Sequence, residues 1–372
     1  MTREEACSRI EEAINAFVLE GSMESYAPYG KGHINDTFLL TMKKNNESKP
    51  YILQRINHEI FTKPIELIEN VAAVTQFLRE KITKLGGNPD RETLRLLEAK
   101  DGRYYYRDSI GSYWRIYQFI SEATSYNSVQ SDEDFYQSAI AFGRFQGLLA
   151  DFPVASLHET IENFHHTQIR FKALQAAVEA DPLGRVKEVQ AELEFAFSRQ
   201  YIADVLVTQL HNKELPLRVI HNDTKMNNVM IDNATGKAIC VIDLDTVMPG
   251  LSAYDFGDSI RYGASTAEED ETDLSKVSCS MHLFEVYTRG YLEGCNQTLT
   301  GAEAKALPIG AITMTYECAI RFLTDYILGD KYFKIHREKH NLDRCRTQLR
   351  LVEDMEKKLP MMQEIVNRCY ED

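Results

Sequence analysis

VIHNDTKMNNVMID, Val219 to Asp232, places His221, Asp223 and Asn228 immediately ahead of a short β-rich run. The turn Asn233 to Gly236 follows, and KAICVID returns as a second run that ends at Asp243. A hairpin carries its far end back beside the loop from which it set out. The spacing therefore predicts two carboxylates and one amide close together: Asp223, Asn228 and Asp243. A carboxylate and an amide oxygen are hard donors of the kind magnesium accepts, with water and phosphate oxygens completing its octahedron.

Such a trio meets the needs of phosphoryl transfer, in which the protein mainly positions the reactants and neutralises charge. Asp223 is read as the base that takes the hydroxyl proton, and Asn228 and Asp243 as the magnesium ligands. His221 is read as structural support, set behind the loop and bonded to backbone. Downstream, Asp255-Phe256-Gly257 spells a second metal-like motif, but it follows a Pro249-Gly250 loop and no strand that pairs back on the first loop. Asp255 is accordingly expected to anchor the loop by accepting backbone N–H bonds, not to hold metal.

Working outward, the first third alternates short β-rich runs with turn residues, the pattern of an antiparallel sheet. YGKGHIND separates two such runs, the second spanning Thr37 to Met42, and Tyr51 to Asn57 is a further strand. Pro64 opens a helix on which Ile65, Ile68, Val71, Thr75, Leu78 and Ile82 recur at helical spacing. TLRLLEA, RYYYRD and SYWRIYQFI then read as a meander turning at Asp101-Gly102 and Gly111, giving five strands around one helix. Past Ile120 the pattern becomes helical: Asp132 to Ala150, Gln168 to Ala180, Glu188 to Leu210, and again from Thr266 with breaks at Gly294, Pro308 and Gly329. The expected fold class is α+β, with an N-terminal lobe over residues 1–120 and a mainly helical C-terminal lobe over 121–372.

The chain has 372 residues, 44% hydrophobic and 26% charged, an ordinary globular balance and enough length for two domains. A formal net charge of -14 opposes nucleic acid as a partner. No run approaches the roughly 18 apolar residues of a membrane helix, and MTREEACSRIEEAINAF does not read as a secretory signal. A cytoplasmic protein is expected. Seven scattered cysteines without a C-x-x-C pair predict reduced, mostly buried thiols.

HNDTKMNN, VIDLDTVMPG and AYDFGD together resemble the aminoglycoside phosphotransferase and choline kinase superfamily. Within it, YILQRINHEIF and RFLTDYILGDKYFKIHREKHNLDRCRTQ are most similar to N-acetylhexosamine 1-kinases. The resemblance implies a two-lobed protein-kinase-like fold, ATP as co-substrate with magnesium, and the anomeric hydroxyl of N-acetylglucosamine or N-acetylgalactosamine as acceptor. It also implies a nucleotide loop at Gly30 and Gly32, and adenine lying against the Tyr117 to Ile120 connection, with Tyr117 and Phe119. Where relatives carry a phosphate-contacting lysine on the third strand, this sequence offers Gln54 and Arg55. Arg55 is assigned, partnered by Glu69 or by Glu66 one turn earlier. Arg321 and Tyr332 are the implied sugar contacts, and His33, at the tip of the first hairpin, is read as a further one.

Simpler roles compete at several positions. Arg321 has an i,i+4 partner in Asp325 on its own helix. His336 and His340 imitate a zinc pair but read as a solvated basic face. VIDLDTV also matches the nucleophile motif of haloacid-dehalogenase-type phosphatases, with Asp243 phosphorylated and Asp245 as acid. That motif opens a doubly wound domain, whereas the sequence after it is helical. Two other readings remain: a pseudokinase that binds nucleotide without turnover, and a kinase of a cationic acceptor such as choline or an aminoglycoside, which the acidic composition permits.

Overall fold

The computed structural model describes residues 3–30, 34–126, 129 and 131–371, with side chains from residue 8 onward. Its contacts divide the chain into two compact units. Met1–Thr124, Asp151–Ile161 and Met230–Met248 form one; Ser125–Ala150, Glu162–Val229 and Pro249–Asp372 form the other.

The first unit is built on a five-stranded antiparallel sheet of order β1-β2-β3-β5-β4, from β1 (Ser22–Pro28), β2 (Asp36–Lys44), β3 (Glu47–Ile56), β4 (Tyr106–Arg107) and β5 (Tyr113–Gln118). The β2–β3 turn is made by Asn45 and Asn46, both at positive φ (51° and 65°), as a tight hairpin requires. Helix α1 (Arg3–Ala16), which the sequence reading left without structure, lays Ile10, Ala13 and Ile14 against Leu40, Leu53, Trp114 and Ile116 of the sheet. Helix α2 (Pro64–Lys84) begins at Pro64 as expected and buries Leu67, Ile68, Val71, Val74, Leu78 and Ile82. A single turn, α3 (Pro89–Glu92), follows. TLRLLEA is not a strand: it meets β5 at the isolated bridge Leu96↔Tyr117 and the residue after α1 at the bridge Phe17↔Ala99.

The alternation of side chains decides which residues share a face of this sheet. Leu53 and Ile116 point into the α1 cluster. Their neighbours Gln54 and Arg115, which face one another in register, point the other way, as does Thr37, the partner of Gln54 on β2. By the same parity Arg55 lies on the α1 face, where it pairs with Asp36, its partner in register.

A smaller sheet of the same unit, order β6-β8-β9, joins β6 (Ala123–Thr124) to the hairpin of β8 (Val229–Asp232) and β9 (Ala238–Val241). Asp232 closes the hairpin turn by accepting from the Ala234 and Thr235 nitrogens at 3.1 and 2.8 Å.

In the second unit α4 (Asp132–Leu148), α5 (Thr167–Ala180), α6 (Gln190–Ser198) and α7 (Gln200–His211) precede β7 (Arg218–Ile220) and, after β10 (Met248–Gly250), α8 (Ser252–Gly263), α9 (Met281–Cys295), α10 (Gly301–Leu328) and α11 (His340–Glu371). The single helix expected over Glu188 to Leu210 is broken at Arg199, whose guanidinium turns back to Glu356 at 2.9 Å. Pro308 does not break a helix: it sits inside α10, which opens with a Thr300–Glu303 capping box and ends at Gly329 in the left-handed conformation. Helices α8 and α10 cross in close contact at two glycines, where a Cβ on Gly257 would come within 2.4 Å of the Gly310 carbonyl oxygen. His340 is buried and bonds Asp270 at 2.9 Å, so it is not part of a solvated basic face. The six described free cysteines form no disulfide, and no helix among the described residues is long and apolar enough to cross a membrane.

Candidate active site

The loop after β7 is held from below by α8. Asp255, 1% exposed, accepts the backbone N–H of His221 through Oδ2 and that of Asn222 through Oδ1, both at 2.8 Å. Its own carbonyl accepts from Thr224 Oγ1 at 2.7 Å, and Gln146 Nε2 donates to Oδ2 at 3.0 Å. Burial pushes the Asp255 carboxyl above the usual range, against the opposing pull of His221 and the two N–H donors. Asn222 takes a left-handed backbone, φ 68°, which Asn tolerates better than most residues. His221 is fully buried between the rings of Phe142 and Phe145, and its Nδ1 accepts the Asp223 N–H at 3.2 Å.

On this anchored loop Asp223 and Asn228 come together. Asn228 Nδ2 donates to the Asp223 carbonyl at 2.8 Å and to its Oδ2 at 3.2 Å. The other carboxylate oxygen of Asp223 meets Lys225 Nζ at 2.6 Å. Burial works to lower the Lys225 ammonium, but the Asp223 charge outweighs it and holds the pKa above the ordinary lysine value. Asp258, on α8, is held below the usual range by Arg261 and Lys225 although burial opposes them.

Asp243 lies at the end of β9 in the first unit, with a left-handed backbone (φ 61°, ψ 58°) that costs a non-glycine residue roughly 1–2 kcal/mol. The segment after it is tied down twice. Asn70 of α2, 1% exposed, donates to the Val247 carbonyl at 3.1 Å. Asp245, 3% exposed, pairs with Arg115 Nη2 at 2.5 Å and accepts from Asn35 Nδ2 at 2.6 Å. Burial would lower the Arg115 guanidinium, but Asp245, then Tyr117 and Asp243, raise it. Among the described residues no group of three or more His, Cys, Asp or Glu is gathered around a metal-sized point. The donor set expected here is instead one carboxylate and one amide, few enough for phosphate and water to complete a magnesium shell.

Of the nucleotide candidates, Gly30 takes φ 78°, while Gly32 and His33 lie outside the described residues. Phe119 sets its ring edge-on to Tyr29, the residue before Gly30, at 6.0 Å. Tyr117 is buried, its ring 4.9 Å from the Arg115 guanidinium, and burial raises its hydroxyl pKa. The expected pair of Arg55 with a helix carboxylate is not formed: Glu69 bonds His158 at 2.9 Å, Glu66 lies 3.7 Å from Lys63, and Arg55 holds Asp36. Nor does Arg321 pair with Asp325. Asp325 accepts the N–H groups of Lys331, Tyr332 and Phe333 at 2.8–2.9 Å, and Arg321 faces the rings of Phe164, Tyr332 and Phe333 at 5.5–5.9 Å.

A model of the phosphotransferase enzyme family, APH, matches residues 25–287, which include the Asp223 loop, the hairpin and α8. The chain belongs to the APH phosphotransferase family. Among solved structures, this APH-family chain is similar to an aminoglycoside phosphotransferase from Alicyclobacillus acidocaldarius subsp. acidocaldarius DSM 446, with TM-score 0.59 and 13% identity over 96% of each chain. It is similar to the GDP complex of wild-type aminoglycoside 2'-phosphotransferase-IIIa, with TM-score 0.59 and 11% identity over 96% of this chain and 100% of that one. A choline kinase from Cryptosporidium parvum Iowa II matches with TM-score 0.53 and 12% identity over 95% of each chain. At these identities the likeness is one of fold, and the fold is protein-kinase-like, as expected.

Three residues bonded to the candidate site carry no clear local signal. Lys225 is the ion partner of Asp223 and stands two residues away from it, which was the available signal. Asp245 was weighed only as the acid of a phosphatase, and Arg115 was passed over because its relation to Asp245 spans more than a hundred residues.

Proposed function

We propose that this protein is an ATP-dependent kinase that phosphorylates the anomeric hydroxyl of N-acetylglucosamine or N-acetylgalactosamine, acting in the cytoplasm. The observation that carries the reading is the anchored loop, in which Asp223 keeps a carboxylate between Lys225 and Asn228. Asp223 bonds the sugar 1-hydroxyl and takes its proton. The hydroxyl oxygen forms a bond to the γ-phosphorus as the bond from that phosphorus to the β,γ-bridging oxygen breaks, and ADP leaves with the electron pair. An anomeric hydroxyl is more acidic than an ordinary alcohol, which eases the loss of its proton.

Asn228 and Asp243 are the proposed magnesium ligands. The amide nitrogen of Asn228 is engaged by Asp223, so its oxygen is the atom that would hold the cation. Magnesium held there supplies positive charge to the phosphate oxygens. Lys225 keeps the Asp223 carboxylate oriented, and Asp255 keeps the loop from sagging into the helices beneath it. The nucleotide is proposed to lie on the first unit, against Gly30, Gly32, Tyr117 and Phe119. Arg321 and Tyr332, with His33, are proposed for the sugar: a guanidinium set among rings offers both a hydrogen-bond donor and an apolar surface for a pyranose face.

The test is a panel of N-acetylhexosamines, simple hexoses, choline, ethanolamine and aminoglycosides incubated with ATP and magnesium, with the phosphorylated carbon located by NMR. The expected product is an N-acetylhexosamine 1-phosphate with ADP. Transfer to choline or an aminoglycoside alone, or to a non-anomeric sugar hydroxyl, would replace this reading with another acceptor of the same family.

A further inference from the structure

We propose that Arg115, on β5, is the residue that meets the phosphates of the nucleotide, in the role sought above for Arg55, and that Gln54 and Asp245 hold it ready for that contact. The assignment rests on the reading of the first unit as an ATP site.

Strand parity comes first. A cation serving phosphates near Asp243 must project from the face of the sheet that carries Asp245, and Arg55 projects from the other, where Asp36 neutralises it. The position on β3 that does face Asp245 is Gln54, which has no charge. Arg115 stands in register with Gln54 on the next strand and supplies the charge from one strand over. Gln54 Oε1 accepts from Arg115 Nε at 3.1 Å and from Nη2 at 2.9 Å, and Gln54 itself is oriented by donating to Thr37 Oγ1 at 3.0 Å.

The remaining edge of the guanidinium points to a ligand. Nη1 of Arg115 is buried with no hydrogen-bond partner among the described residues, in a side chain that is 1% exposed. An open donor on a buried charge is costly to leave unmet, and the tyrosine ring of Tyr117 covers the plane of the group without satisfying its N–H bonds. A planar donor edge of this kind suits a phosphate oxygen. The carboxylate that pairs with Arg115 is bound by Asn35, the residue before β2, and Asn35 is fixed in turn by the Asn57 N–H at 2.9 Å. Asn35 and the arginine therefore share one buried counter-ion.

The test compares wild type with R115Q, R115K and the double variant R115M/D245L, which removes both charges so that neither is left buried alone. Each is titrated by calorimetry with ATP, ADP and adenosine in magnesium, after circular dichroism has shown it folded. The expected result is an ATP dissociation constant raised about 10- to 100-fold in R115Q and the double variant, as for loss of a charge-assisted hydrogen bond. Adenosine affinity should stay within about twofold of wild type. R115K should fall between, since a lysine keeps the charge but not the fork. Equal losses for ATP and adenosine would make Arg115 a structural residue and overturn the assignment, as would ATP affinity unchanged in every variant. Wild-type protein that binds no ATP would remove the nucleotide reading itself, an outcome distinct from a variant that merely matches wild type.

Discussion

Asp255 Oδ2 lies 2.8 Å from the backbone nitrogen of His221, and through this bond the loop that carries Asp223 hangs on the first turn of α8. The carboxylate is buried and accepts from two successive backbone N–H groups and one side-chain amide, so its role depends on acceptors alone. Asp255→Asn turns one acceptor into a donor facing an N–H. A loss of roughly 1–3 kcal/mol is expected, the usual result of leaving a buried polar group unmet. Denaturant melts should show a lowered midpoint with unchanged slope, and an unaltered midpoint would mean that the loop is held elsewhere.

Asp223→Asn keeps the shape of the loop and removes the base. Turnover is expected to fall about 100- to 10,000-fold, the range for a lost general base, with little change in ATP affinity. Steady-state kinetics beside nucleotide titration separates the two, and turnover near that of wild type would take Asp223 out of the chemistry.

Asp243→Ala is expected to act on the metal. The variant should need more magnesium for half-maximal activity and show a lower maximum, read from rate against magnesium at fixed ATP. An identical magnesium curve would leave Asp243 as a structural carboxylate of the β9 end.

Gly257→Ala tests the crossing of α8 on α10. The added methyl group would sit 2.4 Å from the Gly310 carbonyl oxygen and 2.8 Å from Met314 Cγ, and backbone cannot give way as a side chain does. A loss of about 1–3 kcal/mol follows from such overpacking. Since α8 carries Asp255, activity should fall together with the melting temperature, and a stable, fully active variant would show that the crossing relaxes freely.

Acid should unfold the protein through specific carboxylates. Burial works to raise Asp108 and Glu303, but Trp114, Arg9 and Ser112 outweigh it at Asp108, and Arg218 and Thr300 at Glu303, so both are held below the usual range. Their folded values lie under their unfolded ones, so their contribution is complete above the ordinary carboxylate range of about 4 and is lost as pH falls through the folded values. Asp255, held high, has the opposite sign and favours the folded state as it protonates. Stability measured against pH should therefore drop below about pH 4, and more shallowly in Glu303→Gln, which has nothing to titrate at that position. An acid limb as steep as in wild type would exclude Glu303 from the transition.

Reading by local pattern succeeded where the pattern is local. The β8–β9 hairpin follows from β-rich runs on either side of Asn233 to Gly236, and α2 follows from Pro64 and its apolar stripe. It failed where a local signal is weak or overridden. In α1 Ile10, Ala13 and Ile14 stand on a strongly charged helix, which shows only once the sheet is there to cover. At Pro308 the packing of α10 carries the helix through a residue that favours a break. At Arg199 an ion pair with Glu356 accompanies a break that no Gly or Pro announces.

The order of residues along the chain by itself determined the elements, the α+β class and the loop that gathers Asp223 and Asn228, because hydrophobic period, turn residues and five-residue spacings act over a few bonds. Only tertiary structure decided which arginine meets Asp245. Gln54 and Arg55 are equal candidates on a printed strand, but a pleated strand sends neighbours to opposite faces. A buried charge is then settled by whichever partner the fold brings within 3 Å, here one from another strand, 130 positions away.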